Sequence, residues 1–430
     1  MLKSLEKGGK MTGKIAYDLM LKLKGERIAG TDNHKKANRV IIQFLKDLKV
    51  EYETMEFPLH ISEIGKGNIF LGSKKYEGVP YGLTVPFSVD GILEYAESFD
   101  QIENVDKNFE NKILIMKNRP NISKFPILKK KKIKGIITAS RSDDLISSLH
   151  LSSWMIEKKC IIPMIDIKYS DVLKLIENVG KRVKIQGKGK TFKTRSENII
   201  ARIKGKSKSK ERIVLMGHTD TVPRSPGGSD NSGGIGIMAE MITYFSKNPT
   251  KRDLIFSFFS GEEWGLWGSR FFVARREREL KDCILGINFD VAGDPFGTTQ
   301  CIVTASDYLV NVISFASKFS GTSLNVSKDI YSSDNMPFSL KGVPTVNFLR
   351  VGGVPSRFIH TDKDSVDYIT EKGLSPLISF GKFFVETVGN SSINPIDRNI
   401  DEGIKKKIEG YFTGRGMELK DVVDSLKKIK

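Results

Sequence analysis

Residues 212–220 read RIVLMGHTD, and this stretch decides how the chain folds. Its apolar run, residues 213–216, lacks the polar alternation of a half-buried strand and indicates a central strand covered on both faces. Comparable runs are ENIIARI from Glu197, LIFSFFS from Leu254, ILGINFD from Ile284, CIVTA from Cys301 and PTVNFL from Pro344. Helical patterns lie between these runs, as in residues 238–245. Alternating strands and helices predict an α/β domain with a mostly parallel central sheet flanked by helices.

The sequence before residue 191 lacks the regular alternation of long apolar strands and helices. Residues 11–50 predict two helices, whereas residues 65–190 hold short β-type runs and one clear helix, DVLKLIEN from Asp171. We interpret this second stretch as a smaller β-rich inserted domain. The predicted division is residues 1–64 as the N-terminal helical part of the main domain, 65–190 as the insert, 191–395 as the main α/β domain and 396–430 as a C-terminal helical tail, the last 15 residues of which predict an exposed charged helix.

Length and composition describe an ordinary globular protein. The chain has 430 residues, of which 28% are charged and 39% are hydrophobic, so it can bury a large core. No uninterrupted apolar run approaches the roughly 18 residues that span a bilayer, so we expect no membrane partner. Three widely spaced cysteines, together with an N-terminus that lacks an apolar segment, predict a reducing, cytoplasmic location.

The charge distribution and several short motifs exclude other classes of protein. The net charge of +18 comes from 69 basic and 51 acidic residues, but the basic residues are scattered. No recognised nucleic-acid-binding module accompanies them, so we expect no nucleic-acid partner. GKGKT at Gly187 lacks the first glycine of a phosphate-binding loop, and GGIG at Gly233 does not match the dinucleotide fingerprint. The GxSxG motif of serine esterases is absent from the sequence.

Histidines and carboxylates follow the predicted strands. The candidate residues at these strand exits are His218, Asp220, Asp230, Glu262, Glu263, Asp290 and His360. Ligands collect at the carboxyl edge of an open α/β sheet, so we expect these side chains to meet along one rim. Each residue alone has an ordinary structural explanation; Asp230, for example, suits a helix N-cap. The chain has only five histidines, however, and two of them lie beside these acids, which favours a functional site.

These residue types suit a two-metal site. Two histidines and three carboxylates can hold two divalent cations roughly 3.5–4 Å apart, with one carboxylate bridging them. Glu262 and Glu263 are adjacent and point in different directions, so one can bind metal while the other faces substrate as a general base. Asp220 could accept the second ring N–H of His218 and fix its tautomer.

The ordered motifs resemble those of the co-catalytic di-zinc metallopeptidases, a family that includes bacterial leucine aminopeptidases, the yeast vacuolar aminopeptidase and glutamate carboxypeptidase II. The motifs that carry the resemblance are GHTDTV from Gly217, SDNSGG from Ser229, SGEEWGLWGS from Ser260, NFDVAGD from Asn288, SDNMPF from Ser333 and IHTDKD from Ile359. The insert looks similar to a protease-associated domain, which several members carry as a wall or lid near the active site.

The resemblance implies a role for each residue. His218 and Asp290 would bind one zinc, and Glu263 and His360 the other, with Asp230 bridging both. Glu262 would be the general base, and Asp220 the partner of the His218 ring. The peptide bond that follows Asp230 is often cis in this family. Asn335 stands where the family has histidine in its Ser-Asp-His stretch, which removes any role of that histidine from the expectation.

The resemblance implies a metal-dependent exopeptidase with peptide substrates, and we take an aminopeptidase as the leading hypothesis. Hydroxide activated by two Zn²⁺ would attack the scissile carbonyl, with Glu262 moving the proton; Co²⁺ or Mn²⁺ would also fit such a site. The alternatives are a related di-zinc amidohydrolase, deacylase or carboxypeptidase, then a glutaminyl-cyclase-like acyltransferase, and lastly a non-catalytic scaffold. Only 97 residues separate Glu263 from His360, which leaves no room for the dimerisation domain of the deacylases. Homo-oligomerisation stays open.

Overall fold

The computed structural model describes residues 13–104, 108–144, 146–157 and 159–417. Within these ranges the strands are β1 (Glu51–Leu71), β2 (Lys74–Pro80), β3 (Phe87–Tyr95), β4 (Lys112–Met116), β5 (Gly135–Ala139), β6 (Met164–Ile167), β7 (Arg182–Ile203), β8 (Arg212–His218), β9 (Asp253–Phe259), β10 (Cys283–Phe289), β11 (Thr298–Thr304), β12 (Asn325–Lys328) and β13 (Thr345–Val351).

The helices in the same ranges are α1 (Lys14–Lys22), α2 (Asp32–Asp47), α3 (Phe99–Asn104), α4 (Phe125–Lys130), α5 (Trp154–Glu157), α6 (Tyr169–Ile176), α7 (Gly233–Lys247), α8 (Trp267–Arg275), α9 (Glu277–Leu280), α10 (Asp307–Ser320), α11 (Asn335–Leu340), α12 (Pro355–Phe358), α13 (Glu371–Asn390) and α14 (Glu402–Arg415). Most of the charged helix predicted for the last 15 residues lies outside the described residues.

The strands form one sheet in the order β1-β2-β6-β5-β4-β3-β7-β9-β8-β10-β13-β11-β12. Its neighbours β9, β8, β10 and β13 are parallel to one another, so their carboxyl ends meet at one edge. β7 is antiparallel to β9, and β11 is antiparallel to β13. The prediction of a mostly parallel central sheet flanked by helices is therefore confirmed.

The central strands are apolar throughout because both faces are covered. Along β8, Ile213 and Leu215 pack into the core beneath α1, α7 and α13, whereas Val214 and Met216 pack into the core beneath α8 and α11. Successive residues of a strand point to opposite faces, so a strand with two buried faces needs apolar residues at every position.

Two long strands connect the parts of the chain that the sequence divides. β1 and β7 pair as an antiparallel ribbon in which Glu51 lies opposite Arg202 and Phe70 lies opposite Lys184. This ribbon runs through both predicted boundaries of the insert, 64/65 and 190/191, so the division into domains stays a prediction. Beyond it, β3, β4, β5 and β6 are parallel and pack around a separate apolar core.

The described part of the insert contains four α-helices and a short 3-10 helix (Ile122–Lys124) rather than the one clear helix that the sequence predicts. The additional helices α3, α4 and α5 have only four to six residues each, which is too short for an apolar repeat to be recognised. Among the described residues, no helix is long and apolar enough to cross a membrane. All three cysteines are buried and none forms a disulfide.

His34 links the start of α2 to the main sheet as a neutral ring. It is 1% exposed, and its Nε2 lies 2.9 Å from the hydroxyl of Thr219, which itself donates to the Phe259 carbonyl. Nε2 therefore carries the proton, and Nδ1 accepts from the Gly30 amide at 3.4 Å. Burial, followed by the positive charge of Arg27, lowers the pKa of His34 to about 3.

Because of this ring, the free energy of unfolding should decrease as the pH falls. An unfolded histidine takes up a proton below about pH 6.5, whereas folded His34 stays neutral down to about pH 3. Its contribution is present above that range and is lost as the pH falls through it, by at most roughly 1.4 kcal/mol per pH unit. His34→Gln keeps an N–H for Thr219 but does not titrate. Urea unfolding at about pH 7 and about pH 5 should show a smaller loss of stability in this variant; equal losses would contradict the assignment.

Candidate metal centre

Four neighbouring parallel strands deliver the predicted side chains to one edge of the sheet. His218 is the last residue of β8, and Asp290 follows β10 directly. Glu262 and Glu263 lie on the turn after β9, where Gly261 has a positive φ of 73°. His360 lies on the loop after β13. The expectation that strand exits would gather these residues therefore rests on the parallel order of the sheet.

Asp230 reaches the same edge from the turn that precedes α7. Glycines make the approach possible, since a Cβ atom on Gly234 would lie 2.2 Å from the Phe289 carbonyl oxygen. The peptide bond between Asp230 and Asn231 is cis, as the family resemblance implies. Asn231 donates to the Phe289 carbonyl at 2.8 Å and accepts from the Gly234 amide at 3.0 Å, which ties the turn to the end of β10.

The carboxylate of Asp230 lies between two sets of donors. Its Oδ1 is 3.0 Å from His218 Nε2, which is also 3.4 Å from Asp290 Oδ1. Its Oδ2 is 3.2 Å from His360 Nε2, which is also 3.1 Å from Glu263 Oε2. All five predicted metal-binding side chains are thus brought together, and each oxygen of Asp230 faces one histidine and one further carboxylate.

Asp220 contacts His218 differently from the expectation. The ring Nδ1 lies 3.1 Å from the backbone oxygen of Asp220, whereas the nearest carboxylate oxygen is 3.8 Å away. The backbone carbonyl therefore fixes the tautomer, so that Nε2 faces Asp230. The carboxylate instead accepts the Glu262 amide at 3.2 Å, because the turn after β9 lies beside it. Asp220 thus links the His218 strand to the Glu262–Glu263 turn.

Burial and mutual repulsion perturb the acids of this site. Loss of solvent raises the pKa of Asp220 to about 7. Loss of solvent and the nearby Glu263 carboxylate raise the pKa of Glu262 well above its ordinary value, against the opposing effect of His218. Burial opposes the charged form of His218, but the carboxylates of Asp230 and Asp290 outweigh it and raise the pKa of the ring. Concentrated buried negative charge of this kind suits a cation site.

The sequence analysis missed Asp364, which lies four residues after His360. Its carboxylate accepts the backbone amides of Ser229 at 2.7 Å and Asp230 at 3.1 Å, and its own carbonyl accepts the Gly228 amide at 2.8 Å. Asp364 therefore joins the loop that carries His360 to the turn that carries Asp230. The motif IHTDKD includes this residue, but only the fold shows what it contacts.

A cavity of about 360 Å³ opens beside the five donors. Besides the acids and His360, the residues that line it include Val291, Tyr331, Ser332, Leu266, His150, Tyr411 and Arg415. His150 belongs to the insert, and the last two belong to α14. Sequence reasoning missed these wall residues because no local motif marks them. Asn335, the departure from the family motif, is buried and donates to the hydroxyl of Thr345 at 3.3 Å.

Comparisons with known proteins identify similar sequences and folds. Residues 198–378 match the model of peptidase family M28. Aminopeptidase YwaD of Bacillus subtilis is 28% identical over 386 residues, which cover 84% of this chain and 81% of that protein.

Solved structures show the same fold. An aminopeptidase from Aneurinibacillus sp. strain AM-1 superposes with a TM-score of 0.74 at 22% identity, covering 90% of this chain and 96% of that one. BSAP, a zinc aminopeptidase from Bacillus subtilis, gives a TM-score of 0.71 at 24% identity, covering 91% and 98%. All five donors lie inside residues 198–378, the segment of this chain that matches peptidase family M28.

Proposed function

We propose that this protein is a zinc-dependent aminopeptidase that holds two metal ions and removes N-terminal residues from peptides. The observation that carries the proposal is the spacing of the donors around Asp230. The names of the relatives, aminopeptidase YwaD and the zinc aminopeptidase BSAP, support the metal and the activity.

The spacing of the donor atoms is close to that of the ligands in a zinc site. In tetrahedral zinc sites with bonds of roughly 2.0–2.1 Å, two ligand atoms lie about 3.3–3.4 Å apart. The four contacts of the two histidines with the carboxylates measure 3.0–3.4 Å. Apart from the contacts among the donors themselves, none of the described residues hydrogen-bonds to the buried atoms His218 Nε2, Glu263 Oε1 or Asp290 Oδ1. His218 and Asp290 would hold one ion, Glu263 and His360 the other, and Asp230 both.

The remaining side chains suit peptide hydrolysis. Two such ions, when bound, supply Lewis-acid polarisation of a carbonyl and a water molecule of lowered pKa. Glu262 lines the cavity without contacting either histidine in the way that its neighbour Glu263 does. It can take a proton from the attacking water and return it to the leaving amine. The hydrogen bond from its amide to Asp220 keeps the turn in place while the proton moves.

The structure favours an aminopeptidase over a deacylase. Residues 264–359 form α8 to α12 and β10 to β13, which are parts of the main sheet and its covering helices. This stretch therefore holds no separate dimerisation domain of the kind that deacylases insert there. The full set of five donors also distinguishes the site from the single-zinc site of glutaminyl cyclases and from a scaffold that has lost its ligands.

Replacing Glu262 by glutamine should abolish turnover without loss of metal. The amide keeps the size of the side chain but cannot accept the proton, so kcat should fall by roughly 10²- to 10⁴-fold. Leucine p-nitroanilide hydrolysis and bound zinc would be measured on the same samples. Glu409→Gln, which changes an exposed glutamate of α14, should match the wild type. Full activity in Glu262→Gln would exclude this residue as the base.

Metal content should follow the five donors. Chelation is expected to abolish hydrolysis, and added zinc or cobalt should restore it, with two ions bound per chain. Asp290→Ala removes a donor of one ion only, so it should bind about one equivalent of zinc and lose most of its activity. Elemental analysis after dialysis gives the stoichiometry. One ion in the active wild type would contradict the two-metal proposal.

Replacing Asp364 by asparagine should weaken metal binding although Asp364 is not a proposed ligand. Asparagine can accept one of the two amides but presents its own N–H₂ group to the other, so the Asp230 turn should shift. We expect roughly 10- to 100-fold weaker zinc binding, as for other residues that support metal ligands. Asp362→Asn, an exposed change on the same loop, is the matched control. Zinc titration would detect the difference, and equal affinities in both variants would refute the role.

A further inference from the structure

The cavity beside the metal centre is closed on one side by parts of the chain outside the family-matched segment. His150 comes from the insert, and Tyr411 and Arg415 come from α14. The amide of Ser148 donates to the backbone oxygen of His360 at 2.8 Å, so the insert directly contacts the loop of a proposed ligand. The cavity is therefore lined by the acids and His360 and also by a wall of three residues, His150, Tyr411 and Arg415.

α14 is fixed firmly enough to serve as that wall. Ile404, Ile408 and Phe412 are buried in an apolar cluster with Leu266 and Met336. These contacts seat one face of the helix on the turn after Glu263 and on α11. A helix packed in this way can present its remaining side chains to a ligand at defined positions.

Polar contacts fix the carboxyl end of the same helix. The Tyr411 hydroxyl lies 2.6 Å from the Ser332 hydroxyl, and the Arg415 backbone oxygen accepts the Ser152 hydroxyl at 3.2 Å. Ser152 belongs to the insert, so the insert and α14 meet at the cavity. Arg415 is thereby placed where both elements join.

Arg415 gives this wall its charge. Among the described residues that line the cavity, it is the one lysine or arginine. Its guanidinium lies over the Tyr411 ring, 4.4 Å from the centroid, and this stacking orients its plane. The half-buried Arg119 donates to the His150 backbone oxygen and adds positive charge near this wall.

A guanidinium in such a position is suited to a carboxylate. Its planar fork matches the two oxygens of a carboxylate, which gives a stronger contact than a neutral amide can make. The volume of about 360 Å³ is near the lower limit of roughly 300–1,000 Å³ for ligand pockets. The cavity thus fits a small ligand that offers a carboxylate to Arg415 and the bond to be cleaved to the metal centre.

We propose that Arg415 binds the free C-terminal carboxylate of the substrate, so that the enzyme prefers di- and tripeptides with an unmodified C-terminus. This inference rests on the proposed aminopeptidase function and adds a substrate class to it. Arg415 acts here as a specificity residue: it positions the leaving portion of the peptide relative to the metal centre.

The test compares peptides that differ only in the carboxylate. Leu-Gly and Leu-Gly-Gly would be measured against their C-terminal amides with the zinc-loaded wild type. We expect kcat/KM to be roughly 10- to 100-fold higher for the free acids, because a hydrogen-bonded charge pair is lost in the amides. The difference should lie mainly in KM. Leu-Asp-amide carries its carboxylate on the side chain instead; if it matches Leu-Gly, the C-terminal assignment is overturned.

Variants connect the preference to Arg415. In Arg415→Ala the ratio of acid to amide should fall towards one, and Arg415→Lys should keep part of it because the charge remains without the fork. Arg182→Ala, an exposed control in the insert, should keep the full ratio. Thermal unfolding checks that each variant folds; if Arg415→Ala does not, the lysine variant still decides. An unchanged ratio in a folded Arg415 variant would overturn the inference.

Leucine p-nitroanilide separates this inference from the proposed function. The substrate has no carboxylate, so its hydrolysis by the zinc-loaded wild type reports aminopeptidase activity alone. If it is cleaved while acids and amides react equally, the preference is wrong and the function stands. If no substrate is cleaved at any metal loading, both fall together.

Discussion

The rest of the site depends on the position of the Asp230 carboxylate, which lies between His218 and His360. One oxygen faces His218 and the other faces His360, at 3.0 Å and 3.2 Å. These histidines come from strands on either side of β10, so one side chain must lie between them. The turn that carries it is fixed by Asn231 on the β10 side and by Asp364 on the His360 side. Neither contact involves the Asp230 carboxylate, which leaves both of its oxygens directed at the donors.

Burying several carboxylates close together is energetically unfavourable, and the backbone next to them is strained. Three residues next to or within the donor loops, Leu266, Val291 and His360, have positive φ angles of 57°, 68° and 64°, which non-glycine residues rarely adopt. Hydrogen bonds from the Arg350 amide to Val291 and from the Ser148 amide to His360 stabilise two of them. Buried carboxylates that repel one another would be stabilised by bound cations, so metal binding and folding should favour each other.

The sequence predicted structure where burial imposes a pattern of apolar residues. It did not predict contacts between residues that are far apart in the chain. β8 could be predicted because both of its faces are covered, and the convergence of the histidines and acids could be predicted because parallel strands expose their carboxyl ends together. The β1–β7 ribbon extends beyond the predicted strands, since pairing between distant segments, not local composition, sets its length. Asp364 and Arg415 were missed for the same reason. Asp364 accepts amides of the Asp230 turn and Arg415 lines the cavity, and only the fold brings them to these places.

The residues proposed to carry out the reaction and the residue proposed to select the substrate lie in different parts of the chain. All five donors and Glu262 lie within residues 198–378, the segment that matches the family. The cavity is also lined by His150, Tyr411 and Arg415, which lie outside that segment. Metal ligands and a general base must keep a fixed geometry because the reaction is sensitive to small displacements. These three side chains are not among the proposed metal ligands, so replacing them leaves the set of donors intact. In the binding mode proposed for this chain, the choice between a free and a blocked peptide end depends on Arg415 of α14 and not on the donors.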